Sequence, residues 1–285
     1  MSIKLRWLGL ACFEIVLPSG KVLITDPAID IGLNAPIKCK EVTGADYITV
    51  TRDSPIALSD VGSLVHKFDS KVMCNHQMAS PLSKFFDIDE GNIIEVNIGD
   101  NVVFDDLQVE IKKAKNASPL RKARIDYEMA MGKKPDANMS VEEMRRVATM
   151  NWITPGGKEL AKKMMAAGIT HTSQHLNFLF HMGDNLRIYY YDSGDYDFLK
   201  SELIKAHPNV LIIQLGGNDP KKIAEFAALS GAEVVIPSHH DIHPFGGHGQ
   251  LVRVMGKYLS EMSKACLLDV IPGKWYEIGV KVASN

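Results

Sequence analysis

Histidines are concentrated in two segments of the chain and are the first candidates for chemistry. His171 and His175 are four positions apart, a spacing that on a helix places both imidazoles on one face. The segment precedes a predicted strand, so a helix there is not assured. His239 and His240 follow another predicted strand. Histidine is the commonest transition-metal ligand and titrates near physiological pH. We favour a functional role for His239, because α/β layers place ligands at the carboxyl ends of strands.

The segment 46–57 places three further polar side chains after a predicted strand. Arg52 stands where a fixed guanidinium could bind a carboxylate or phosphate, or stabilise an oxyanion. It could equally pair with Asp195 and leave an inert site. Ser54 would be a nucleophile only with a base within hydrogen-bond reach, so a turn-forming role is favoured. Asp53 lies between the two and is a candidate for substrate binding.

Alternating and apolar runs predict the elements that must position these residues. In the first half, strands are predicted at residues 3–8, 12–17, 21–25, 46–51, 71–74, 93–96, 101–104 and 107–114, and helices near 58–68 and 77–85. In the second half, strands are predicted at residues 176–181, 186–191, 209–214 and 233–236, and helices near 196–206, 220–230 and 249–264. This rhythm predicts partly parallel strands covered by helices.

Residues 119–168 differ from their surroundings. They are rich in Met, Lys, Arg, Glu and Ala and have helical periodicity without a good strand. About 50 residues are marginal for an independent core. We therefore interpret 119–168 as a helical insertion or lid within one domain that spans residues 1–285.

Composition excludes several classes of function. A net charge of −2 with intermixed signs argues against nucleic-acid binding. No apolar run reaches the ~18 residues that a membrane-spanning helix needs. The start of the chain has a strand-like alternation and lacks a signal peptide's apolar stretch. Four widely separated cysteines without a C-x-x-C pair indicate reduced thiols in a cytoplasmic protein. The partner expected is a small-molecule substrate, with a homo-oligomer left open.

Several landmarks in order resemble the metallo-β-lactamase-fold superfamily. They are "Leu23-Ile24-Thr25-Asp26-Pro27", "Asn75-His76", "Tyr190-Tyr191-Asp192-Ser193-Gly194-Asp195" and "Val234-Val235-Ile236-Pro237-Ser238-His239-His240-Asp241". The resemblance implies an α/β fold, a four-layer αββα sandwich. With the helical insertion and "Gln214-Leu215-Gly216-Gly217", the chain looks most like the cytoplasmic ascorbate-6-phosphate lactonase branch.

The resemblance also implies that the metal-binding motif is degenerate. In the superfamily, the loop after the strand 46–51 reads T-H-x-H-x-D-H and supplies most of the metal ligands. The corresponding positions here are Arg52, Ser54, Ile56 and Ala57. These side chains cannot replace three imidazoles and a carboxylate around a divalent ion.

Carried over residue by residue, the resemblance leaves two ligands, Asp195 and His239. Asn116 stands where the family commonly has another histidine, and His171 is an alternative for that position. Catalytic metal sites usually offer at least three protein ligands. We therefore predict no dinuclear centre and, as the first choice, no cofactor. If a metal is bound, it is a single divalent ion, Zn or Mn, on His239 and Asp195.

Three functions remain open. The first is a hydrolase-like enzyme that acts on a small polar cyclic or carbonyl-bearing substrate, such as a lactone, without the dinuclear metal. The second is a mononuclear metal-dependent hydrolase whose rebuilt site adds His171, His175 or His240. The third is a catalytically silent family member that binds a ligand or a partner. We favour the first.

The favoured function assigns a role to each polar residue of the predicted pocket. Asp195 and His239 supply acid/base chemistry, and Arg52 polarises an oxygen. We expect these three within about 10 Å of one another, because scaffolds bring loop-borne groups together. The residues expected to bind substrate are Asp53, Ser54, His76, Asn116, His171, His175 and His240.

Overall fold

The computed structural model describes residues 2–115, 123–124, 127, 131, 133–148, 154–169, 173–183, 185–192, 200–216, 218–242 and 248–279. Within these residues the chain forms two seven-stranded sheets. The strands of the first are β1 Ser2–Gly9, β2 Cys12–Val16, β3 Val22–Thr25, β4 Tyr47–Thr49, β5 Lys71–Asn75, β6 Ile93–Val96 and β14 Tyr276–Gly279. The strands of the second are β7 Asn101–Val103, β8 Leu107–Lys113, β9 Leu176–Met182, β10 Leu186–Tyr191, β11 Val210–Gln214, β12 Val234–Ser238 and β13 Cys266–Leu267.

Each sheet combines antiparallel and parallel pairs. The first has the order β14-β1-β2-β3-β4-β5-β6 and is parallel from β3 to β6. The second has the order β13-β12-β11-β10-β9-β8-β7 and is parallel from β10 to β13. Parallel strands have their carboxyl ends at the same edge of a sheet, so the loops after β4, β10 and β12 follow the carboxyl ends of the parallel regions.

Helices cover the outer face of each sheet. Those of the first sheet are α1 Pro55–Leu58, α2 Val61–Phe68, α3 His76–Phe86 and α5 Pro155–Ala166. The helix α4 Val141–Ala148 contributes Met144 to a separate small apolar cluster with Ala123 and Tyr127. Those of the second half are α6 Lys200–Ala206, α7 Pro220–Leu229 and α8 His248–Met262. Three short 3-10 helices lie at Cys39–Glu41, Glu90–Asn92 and His240–Ile242.

Alternation along the strands separates three apolar layers. In β10, Ile188 and Tyr190 face the layer between the sheets, whereas Tyr189 and Tyr191 face the second sheet's helices. A third layer lies between the first sheet and its helices, and Met164 of α5 belongs to it. This arrangement is the predicted four-layer αββα sandwich. Two helices of the predicted insertion, α4 and α5, fall within 119–168, and the role of that insertion as a lid stays a prediction.

Most predicted elements are confirmed with ends shifted by one to three residues. The helix predicted at 58–68 is divided in two, because α1 ends at Leu58 and Asp60 precedes α2. The short strands β13 and β14 were not predicted. The carboxylate of Asp60 accepts hydrogen bonds from the backbone N–H of Ile29 and Asp30, which ties this break to the loop after β3. Among the described residues, no helix combines the length and apolarity required to cross a membrane.

The apolar layer between the sheets predicts that two valines on neighbouring strands differ in their contribution to stability. Val109 of β8 is fully buried, whereas Val103 of β7 is 68% exposed. Val109→Ala should lower the free energy of unfolding by about 2 kcal/mol through lost burial and a residual cavity. Val103→Ala is the matched control and should stay within about 0.5 kcal/mol of the parent. Urea unfolding measures both, and equal effects would contradict the layer assignment.

Candidate functional site

Three charged or titratable side chains follow three strand ends, one in the first sheet and two in the second. Arg52 lies three positions after β4, Asp192 directly follows β10, and His239 directly follows β12. Both sheets therefore contribute to one site. This placement follows from the parallel pairing, which puts β4, β10 and β12 with their carboxyl ends at this edge.

The three side chains are in direct contact and are almost fully buried. Arg52 Nη1 lies 2.8 Å from Asp192 Oδ2, and His239 Nε2 lies 3.2 Å from Asp192 Oδ1. Arg52 Nη2 and His239 Nε2 are 3.4 Å apart. The exposed fractions of the three residues are 3%, 2% and 2% for Arg52, Asp192 and His239. The site therefore consists of a guanidinium, a carboxylate and an imidazole, all shielded from solvent. The carboxylate of Asp192 contacts both of the other two groups.

The charge state of Asp192 is set by these neighbours. Burial by itself raises the pKa of this carboxyl group, but the guanidinium of Arg52 and then the imidazole of His239 hold the pKa well below its usual range. An opposite charge within hydrogen-bond distance favours the ionised carboxylate. Asp192 is therefore negatively charged at neutral pH.

A second buried carboxyl group lies behind Asp192. Asp26 accepts hydrogen bonds from the backbone N–H of Thr51 at 2.7 Å, from the Thr51 hydroxyl at 2.8 Å and from the Tyr190 hydroxyl at 2.8 Å. The Thr51 hydroxyl is also 3.0 Å from Asp192 Oδ2. Burial, and next the charge of Asp192, raise the pKa of Asp26 to about 7. A network of hydroxyl groups thus joins a carboxylate to a carboxyl group that titrates near neutrality.

The two residues after Arg52 have structural roles in the loop after β4. Asp53 accepts hydrogen bonds from the backbone N–H and the hydroxyl of Ser173, the latter at 2.7 Å. It also lines a small cleft of about 230 Å³, part of which is open solvent, together with Gln77 of α3. Ser54 is buried and occupies the N-cap position of α1, before Pro55. This position matches the turn-forming role expected for Ser54.

Three predicted histidines lie in different surroundings. His76 is exposed at the start of α3. His175 is buried in an irregular segment directly before β9, so the helix considered for 171–175 does not extend over its described residues. His240 stacks on Trp7, with ring centroids 4.5 Å apart. His239 lies in contact with both Arg52 and Asp192.

Asn116, His171 and Asp195 lie outside the described residues, so their expected places in the pocket stay predictions. The carboxylate that meets Arg52 and His239 in the structure is Asp192, three positions before Asp195. The sequence contained the signal for it, because Asp192 is the first residue after β10. Arg52 forms an ion pair with Asp192, and its pairing with Asp195 stays a prediction.

The described side chains at this site offer too few donors by themselves for a dinuclear metal centre. Asp192 and His239 offer one carboxylate and one imidazole, and the guanidinium of Arg52 already pairs with that carboxylate. Within the described part of the chain, no group of three or more His, Cys, Asp or Glu side chains could hold a metal ion. Placing a divalent ion about 4 Å from a guanidinium would cost roughly 8 kcal/mol of repulsion at an effective dielectric constant near 20.

Solved structures with the same fold span almost the whole chain. Igni18, a metallo hydrolase from the archaeon Ignicoccus hospitalis, has a TM-score of 0.66 at 14% identity and covers 99% of this chain and 100% of its own. The metallo-β-lactamase fold protein YhfI from Bacillus subtilis has a TM-score of 0.57 at 9% identity, with 97% and 99% covered. The two sheets and their helices therefore have the metallo-β-lactamase fold.

Curated relatives match a shorter part of the chain. A UPF0173 metal-dependent hydrolase from Sulfolobus acidocaldarius is 32% identical over 118 residues, which is 40% of this chain and 51% of that protein. One from Metallosphaera sedula is 29% identical over 116 residues, with 40% and 51% covered. The chain thus spans about half the length of these relatives. No protein-family profile matches it. The expected likeness to the lactonase branch stays a prediction.

The raised pKa of Asp26 predicts a pH dependence of stability. Between about pH 4 and 7 the folded protein holds a proton on Asp26 that the unfolded chain has released. The contribution of this group therefore lowers stability as pH rises, by at most about 1.4 kcal/mol per unit, and levels off above pH 7. Asp26→Asn mimics the protonated group and should remove this slope. Urea unfolding of both proteins from pH 4.5 to 8 measures the difference, and parallel curves would contradict a titrating Asp26.

Proposed function

We propose that this protein is a hydrolase-like enzyme in which the guanidinium of Arg52 supplies the positive charge that a metal supplies elsewhere in the fold. The observation that carries the proposal is the buried contact of Arg52 with Asp192 and His239. The contact lies after the carboxyl ends of three strands, where this kind of fold places functional groups. Arg52 takes the position of the first histidine in the altered loop.

The charges of the site support this proposal over a dinuclear one. Asp192 is ionised, and its charge is balanced by Arg52 within 2.8 Å. A guanidinium is charged at all accessible pH values and needs no loading from solution. In a desolvated site it stabilises a developing oxyanion far better than it would in water. One cation fixed by the chain can thus polarise a carbonyl oxygen.

The chemistry proposed is hydrolysis or ring opening of a small polar carbonyl-bearing substrate, with a lactone as the finer choice. Water adds to the carbonyl carbon, Arg52 stabilises the oxygen, and the imidazole of His239 takes the proton from water and returns it to the leaving oxygen. Asp192 orients the side chains of Arg52 and His239. Asp195 stays a proposed acid/base residue, and Asn116 and His171 stay proposed substrate contacts.

A second candidate is a mononuclear metal-dependent hydrolase. It is favoured by the printed names of the relatives, which are metal-dependent hydrolases. Asp192 and His239 would be two of the ligands, and Zn or Mn the ion. A third outcome, a catalytically silent protein, is favoured by the burial of all three side chains. The two experiments below separate these candidates.

The first experiment measures metal content. Protein purified without added metal should contain far less than one Zn, Mn or Fe per chain, because Arg52 repels a divalent ion. Arg52→His removes this charge and adds a third donor beside Asp192 and His239, so this variant should gain about one zinc per chain. Arg52→Lys is the matched control, since it keeps the charge and should gain none. Elemental analysis measures the metal content of all three proteins. One or two tightly bound ions per chain in the parent would overturn the proposal of a metal-free site.

The second experiment measures turnover on a panel of lactones, cyclic ketones and phosphorylated sugar acids. On a substrate found there, Arg52→Ala, Asp192→Asn and His239→Ala should each lower kcat/KM by at least ~10²-fold, the scale for one acid/base or oxyanion group. The exposed His66 gives the control variant His66→Ala, which should match the parent. Activity should survive chelators. Loss of activity with chelators would favour the second candidate, and no turnover on any substrate would favour the silent protein.

A further inference from the structure

The backbone of His239 is held in an unusual conformation. Its φ is +58°, in the left-handed region that a side chain with a Cβ seldom adopts. Such strain persists only where surrounding contacts hold the backbone in place. The contacts around His239 therefore show what fixes the direction of its imidazole.

The first of these contacts is a pair of hydrogen bonds, which we call the clamp, between the loop after β12 and Leu10 in the turn between β1 and β2. The backbone N–H of His239 donates to the carbonyl oxygen of Leu10 at 3.0 Å. The backbone N–H of Leu10 in turn donates to Asp241 Oδ2 at 2.9 Å. The chain on both sides of His240 is thus bonded to the backbone of one residue, Leu10. Leu10 itself has a φ of +50°, so the turn is shaped to present both of its polar groups to this loop.

Ring contacts support the same clamp. Trp7 Nε1 donates to the carbonyl oxygen of Leu10 at 3.0 Å, and its ring stacks on the imidazole of His240. Trp7 is 1% exposed and belongs to the layer between the sheets. The clamp is therefore anchored in the core of the protein, and it would resist rotation of the loop after β12.

The second contact is the close approach of Gly216. A Cβ at position 216 would stand 1.9 Å from the carbonyl oxygen of His239 and 2.6 Å from its carbonyl carbon. Any side chain there would displace the His239 peptide. Gly216 follows β11, and its own N–H lies 3.3 Å from the carbonyl oxygen of Ser238. The absence of a side chain at 216 thus allows the His239 peptide to lie against β11.

We propose that three elements position the imidazole of His239 towards Arg52 and Asp192: the carboxylate of Asp241, the backbone N–H and C=O of Leu10, and Gly216. This inference rests on the proposed function, since it assigns positioning residues to the same site. The aim matters because Nε2 of His239 lies 3.2 Å from an acceptor, Asp192 Oδ1, and 3.4 Å from a donor, Arg52 Nη2. A small displacement of the imidazole would break both contacts.

The test reads the imidazole without any substrate, so it is independent of whether the protein is an enzyme. Protein with ¹⁵N-labelled histidine gives long-range imidazole correlations, and His239→Gln assigns the signal of His239. Asp241→Asn keeps an acceptor oxygen for Leu10 and should leave that signal in place. Asp241→Leu removes the acceptor, and Gly216→Ala displaces the peptide, so both should move the signal to the position of a solvent-averaged imidazole. An unmoved signal in both folded variants would overturn the proposal.

A measurement on the parent protein covers the case in which these variants do not fold. The amides of Leu10 and His239 should exchange on the order of 10³-fold or more slower than unstructured amides, as amides do that open only with the core. Exchange of both amides at nearly the unstructured rate would show that the clamp does not hold and would overturn the proposal. Slow exchange with unchanged kcat/KM in Arg52→Ala would reject the proposed function and leave the clamp standing.

Discussion

The ion pair of Arg52 with Asp192 is the interaction on which the rest of this site depends. It joins the loop after a strand of the first sheet to the end of a strand in the second, and both side chains are almost fully buried. Removing one partner of such a pair leaves an uncompensated buried charge, at a cost of about 3–5 kcal/mol. The pair therefore holds the functional edges of the two sheets together as well as setting the charge of the site.

The groups around the pair follow from it. Burial, and next the charge of the ionised Asp192, raise the pKa of Asp26 to about 7. His239 faces the same carboxylate and is fixed by backbone contacts that reach the core through Trp7. A fold whose relatives are named for metal dependence thus has, in this chain, an internal cation at the centre of its described site.

Much of the fold could be predicted from the sequence, because apolar alternation marks buried strands wherever a layer covers them. β6 and β10 agree with their predictions at both ends, and β10 is buried at five of its six positions. β13 and β14 could not be predicted, because two to four residues at a sheet edge have too little burial to produce a pattern.

The candidate site was predictable only in part. Arg52 directly follows the predicted strand 46–51 and His239 directly follows β12, and these positions predicted that the two side chains lie close together. No role was predicted for Asp192, the first residue after β10, because the resemblance to the superfamily indicated Asp195, which stays a prediction. Two contacts join segments that are distant in sequence: the stacking of His240 on Trp7 and the close approach of Gly216 to His239. No local sequence pattern predicts such contacts.

A double-mutant cycle on the ion pair tests the central claim most directly. The free energies of unfolding of the parent, Arg52→Met, Asp192→Asn and the double variant would be measured by urea at pH 7. The account predicts that the double variant loses at least about 2 kcal/mol less than the sum of the single losses, because each single change leaves a buried charge without its counter-charge. Losses that add to within about 0.5 kcal/mol would contradict a guanidinium and a carboxylate coupled at the centre of the site.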